Sequence, residues 1–181
     1  MTSFMGFTEA AQLYARYSAV VDAMEKAFHE SVNQFLDFSR DQIRQQVQPA
    51  KLQESRSDAA RNWWLADNDE DMDAYPRVYV DPRSPRIVDP GELSLFVFAP
   101  RASEEQRRRF ADIANQSRFR SFCKRGSGGP YSLFTAVIKY PEQENPADRV
   151  ASIIADILVA LNEIVLAPEP EQHTLFDKVK K

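Results

Sequence analysis

A chain of 181 residues, 43% of them hydrophobic, holds one ordinary domain plus an appendage and excludes two full domains. Its formal net charge of -4 is unevenly spread: residues 1–74 carry seven basic and thirteen acidic side chains, residues 75–125 eleven and six, and residues 126–181 five and eight. The single cysteine, Cys123, excludes both an intramolecular disulfide framework and a thiolate-rich zinc site.

The basic centre between acidic flanks fits complementarity between parts of the chain, with an anionic ligand as the alternative. The first residues, MTSFMGFTEAAQ, lack the basic stretch, apolar run and cleavage site of a signal peptide, so a cytoplasmic location is expected. The most apolar segment, Val150 to Leu166, carries Asp156, Asn162 and Glu163 and falls short of the roughly 20 apolar residues a bilayer span needs. No membrane partner is expected.

From Thr8 to about Val47 apolar residues keep a helical rhythm with no proline or glycine, and Pro49 ends the run. Tyr14, Tyr17, Val21, Met24, Phe28, Phe35 and Phe38 alternate three- and four-residue steps, with Ser31 in the one polar slot, which makes a heptad seam. Leu13, Val20, Ala27, Val32 and Leu36 widen it into a broad stripe. At about 1.5 Å per residue such a rod outreaches a domain of this size, so its near end is expected to pack on the domain and its far end on another chain. Ala50 to Leu65 reads as a second, shorter helix ending at Trp63 and Trp64.

Beyond Asp73 the pattern turns to short β-rich runs: Arg77 to Val80 as an edge strand, Leu93 to Phe98, Arg118 to Lys124, and Tyr131 to Tyr140. Between the second and third, Ser103 and Gln106 form a capping box that opens a helix, and Asn145-Pro146 opens the last one. The expectation is an α+β fold. A helical arm or hairpin over 1–66 precedes a ββαββα domain over 74–166, with a four-stranded mixed or antiparallel sheet, and 167–181 form a flexible tail.

Chemistry-bearing residues are sparse. The acidic loop Asp67, Asp69, Asp71 and Asp73 lacks the glycine and final glutamate of a calcium loop, with Met72 and Val78 in those places. His29 and His173 share no metal-ligand spacing with each other or with Cys123. The glycine-rich Lys124 to Pro130 segment enters a strand rather than a helix, unlike a phosphate-cradling loop. No cofactor, metal or catalytic residue is expected. An enzyme would need a site of carboxylates and arginines assembled by the fold.

As a strand, 118–124 would set Arg118, Arg120, Phe122 and Lys124 on one face, a basic row with an interleaved ring suited to nucleic acid. Arg107 and Arg125 extend the basic character. Glu104–Arg108 and Glu105–Arg109 are helix-surface pairs that leave Arg107 over.

In the tail, the pentapeptide QHTLF places Gln172 three residues before the Leu175-Phe176 pair. It resembles the short motif by which bacterial DNA polymerases and repair factors hold the sliding clamp. The resemblance implies that Gln172 reaches a polar rim while Leu175 and Phe176 fill an apolar pocket. The leading expectation is a non-enzymatic accessory protein that oligomerises or joins a complex through its arm. The alternative is a nucleic-acid-associated factor using the basic face, recruited through the tail.

Overall fold

The computed structural model describes residues 6–48, 51–57, 60–67, 71–80, 92–125, 131–139 and 146–166. The expected tail, with Gln172, Leu175 and Phe176, lies outside them, as do most of the glycine-rich loop and part of the acidic loop.

Helix α1 spans Phe7–Gln46, and its last turn closes by Val47 donating its N–H to the Ile43 carbonyl at 3.0 Å. Strands β1 (Leu52–Ser57), β2 (Ala60–Leu65), β3 (Arg77–Val80) and β4 (Glu92–Phe98) follow. Helix α2 (Glu104–Asp112), strands β5 (Cys123–Arg125) and β6 (Ser132–Lys139), and helix α3 (Pro146–Leu166) complete the chain. The sheet order is β1-β2-β3-β4-β6-β5 and each pairing is antiparallel. The fold is therefore α+β with a long first helix. Its sheet has six strands rather than four, because β1 and β2 precede the expected ββαββα order.

Those two strands replace the helix expected over Ala50 to Leu65. They pair from Leu52↔Leu65 to Ser57↔Ala60, and β2 pairs onward with β3 through Trp63↔Val78. Strand alternation turns Trp63 and Trp64 to opposite faces, and both are buried. With β2 on one side and β4 on the other, β3 is an interior strand rather than an edge.

The expected strand over Arg118 to Lys124 is also corrected. Phe119 and Arg120 donate their N–H groups to the Gln116 carbonyl, and Phe122 and Cys123 to that of Phe119, so the segment winds in helical turns. Only Cys123–Arg125 is strand. The reason is Phe119, fully buried, against which Phe122 packs edge-on at 6.1 Å: a three-residue step, not a two-residue one.

One face of the sheet carries Trp63, Val78, Leu95, Val97, Phe134, Ala136 and Ile138 into the core. On it lies α3, whose Val150, Ile154, Ile157, Leu158 and Leu161 are buried and which contacts α1, α2, β2 and β3. The opposite face presents half-buried Tyr79, Phe96 and Phe98, with ring centroids 6.1–6.3 Å apart. Helix α2 begins with the anticipated capping box: Ser103 Oγ accepts from the Gln106 N–H at 3.1 Å and Gln106 Oε1 from the Ser103 N–H at 3.0 Å. Two acidic-loop residues meet the basic centre, Asp71 with Arg101 at 2.7 Å and Asp73 with Arg77 at 2.6 Å. Among the described residues no helix is long and apolar enough to cross a membrane.

Candidate functional site

Helix α1 has two different halves. From Val32 onward, Val32, Leu36, Ser39, Ile43 and Val47 enter the core. Buried Ser39 satisfies its hydroxyl by donating to the Phe35 carbonyl at 2.9 Å. Polar groups lock the same stretch to the β1–β2 hairpin: Arg61 Nη2 donates to Asn33 Oδ1 at 2.8 Å, and Asp37 lies 3.2 Å from Arg56 and 3.8 Å from Arg61. From Thr8 to Ser31, by contrast, every side chain is exposed apart from half-buried Ser18. At about 1.5 Å per residue these 24 residues project about 36 Å from the domain.

The structure brings the seam onto this projecting half. Tyr14 is 70% exposed, Met24 68% and Val20 56%, and Tyr17, Val21 and Phe28 are each more than 40% exposed. The seam runs on alongside the docked half through half-buried Phe35 and exposed Phe38. At about 100° per residue, its mean direction lies about 75° around the helix from the Val32–Val47 face that enters the core. The chain thus keeps two apolar faces on one helix, and the domain covers one of them. Scattered exposed apolar residues need no explanation, but a continuous stripe over several turns marks an interaction surface.

Charge narrows what can bind there. The projecting half carries Glu9, Asp22, Glu25 and Glu30 against Arg16 and Lys26. An acidic balance disfavours phosphate-rich lipid surfaces and nucleic acid, both of which call for flanking cations. Arg16 lies over the Tyr17 ring at 5.5 Å, at the border of the seam.

The basic residues are dispersed. Arg107 sits 5.5 Å from the centre of the Tyr131 ring, and Arg125 is ion-paired with Asp112 and donates to the Ala111 carbonyl at 3.3 Å. Both line an open concavity of about 440 Å³ between α2 and β6. Carboxylates of Glu104 and Asp112 share it, and Arg108 is paired with Glu104 at 2.5 Å. Arg118 folds over the Phe119 ring at 4.6 Å, Arg120 and Lys124 are exposed, and Phe122 packs half-buried on the core. The helical turns thereby remove the single basic face with an upstanding ring that a strand would have presented.

No group of three or more metal-ligating side chains forms among the described residues. Cys123 is a buried free thiol, and burial pushes its pKa up to about 12, which keeps it protonated and unreactive as a nucleophile. Compared with protein-family models, with curated proteins and with solved structures, the chain matches none of them. The seam was visible in the sequence. The angle between it and the docked face was not, since heptad spacing does not say which helix face the domain takes.

Proposed function

We propose that this protein is a non-enzymatic assembly factor whose domain anchors α1 and whose projecting half of α1 is the element that associates with another chain. The observation that carries this reading is the uninterrupted apolar seam, exposed from Tyr14 to Phe28 and set apart from the face the domain buries. An exposed stripe of this length gains by removing apolar area from water, at about 25 cal/mol per Å² before the costs of association. The anchored half fixes the direction in which the arm points, so the domain acts as a mount.

The test is made on the full chain. Replacing Val21 and Phe28 together by glutamate puts charge at the centre of the seam without touching the core. Light scattering coupled to size exclusion is expected to show a wild-type oligomer and a folded monomeric double variant. A wild-type monomer at all accessible concentrations, or an oligomer indifferent to the double substitution, overturns the reading.

A further inference from the structure

Resting on that reading, we infer that the projecting half of α1 pairs with the same segment of a second copy of this chain, antiparallel, about a two-fold axis near Ala23. Two independent features place the axis there. The first is charge. Around the helix the stripe, with Leu13, Val20 and Ala27 counted in it, is bordered on one side by Glu9, Arg16, Ala23 and Glu30 and on the other by Ser18 and Glu25, while Asp22 and Lys26 lie on the far side. An antiparallel two-fold sets each border against its own copy. Arg16 and Glu30 stand equally far in sequence from Ala23, so each Arg16 meets Glu30 of the second copy, twice per pair, with small Ala23 beside its own copy on the same border between them.

A parallel pair sets each border against the opposite one. Arg16 then falls beside Ser18, and Glu30 beside Val32, with no ion pair in either case. The second feature is length. An axis at Ala23 brings Thr8, at the start of the helix, opposite Phe38, the last seam residue. The overlap therefore uses the whole seam, including the exposed Phe38 that the domain leaves bare beside its own buried face.

The same register explains the breadth of the stripe. In an antiparallel pair the flanking seam positions of one helix meet those of the other, which brings Val20 against Ala27, large against small, where a parallel zipper places charges. The register also sets Glu9 opposite Asp37, whose carboxylate is already engaged by Arg56 and Arg61. Such a pairing is isologous and closes on itself as a dimer.

Charge swaps and cysteine pairs in the full chain test this. Arg16→Glu and Glu30→Arg are each expected to weaken the dimer about tenfold, since two attractive border pairs become repulsive, and the double swap is expected to restore it. Under oxidation, Tyr14→Cys combined with Ser31→Cys is expected to cross-link two chains while Tyr14→Cys alone does not. Buried Cys123 contributes no background. Cross-linking by Tyr14→Cys alone, or a double swap as weak as the single ones, overturns the antiparallel register but leaves association through the arm standing. A wild-type monomer overturns both.

Discussion

Arg61 shows how a charged residue comes to occupy a core position. Its side chain is 3% exposed; Nη2 donates to Asn33 on α1, Nη1 to the Ala60 carbonyl at 3.0 Å, and Nε lies 3.4 Å from Glu54. Burial lowers its pKa, but a guanidinium stays charged at any physiological pH, so its partners must compensate the lost hydration. Arg61→Ala removes that centre, leaving Glu54 to Arg56 at 2.8 Å and Asn33 and the Ala60 carbonyl without their donor, and is expected to cost about 3 kcal/mol in urea unfolding. Arg61→Lys is expected to recover little, because an ammonium cannot span Asn33 and the Ala60 carbonyl together. Loss of less than about 1 kcal/mol would mean that the network contributes no more than surface pairs do.

Cys123 gives a pH prediction at the same scale. Its thiol ionises near 9.0 in the unfolded chain and near 12 in the folded one, because burial disfavours the thiolate. The group's contribution to stability is whole below pH 9 and is lost as the pH rises towards 12, where the unfolded chain gives up its proton first. Cys123→Ala is expected to flatten that part of the alkaline decline in melting temperature. Wild-type protein at pH 8 is expected to resist iodoacetamide until it is unfolded.

At the scale of elements, the turn between α2 and β5 depends on one ring. Phe119→Ala is expected to cost about 3–5 kcal/mol and Phe122→Ala less, since the first ring is fully buried and the second only half so. Equal losses in denaturant unfolding would contradict the helical-turn packing. Helices α1 and α3 were legible because each keeps its apolar period over many residues, and polar α2 because it carries its capping box in the sequence. The β1–β2 hairpin was not. In β1 only Leu52 is buried, and Gln53 to Ser57 is a polar run with no alternation to detect. In β2 a core-facing position is filled by Arg61, which breaks the apolar alternation that would have announced a strand. Pairing with β3 supplies what local pattern lacks, a case of tertiary context overriding propensity. The candidate surface was legible in the same uneven way: period fixed the seam, while which turns of α1 the domain covers depends on packing against α3 and polar contacts with the hairpin.

At the scale of the whole molecule, α1 couples a packed domain to an unpacked helix, and their stabilities need not agree. Val32 to Val47 shares the core with α3 and the sheet, so its amides open only with the domain. Thr8 to Ser31 has no such cover. A free helix of this length is marginal in water, because nucleation is costly and propagation gains little without tertiary burial. Association along the seam supplies the missing burial and ties the arm's helical stability to protein concentration. Hydrogen exchange of the full chain at two concentrations, one well above and one well below the dissociation constant, is therefore expected to separate the halves. Amides of Thr8 to Ser31 should gain protection at the higher concentration, while those of Val32 to Gln46 should be unchanged. In the Val21→Glu, Phe28→Glu variant the arm should stay unprotected at both concentrations, with the domain as stable as in the wild type. Equal arm protection at both concentrations in the wild type would mean that association does not supply the arm's stability, and the assembly role would fail with it.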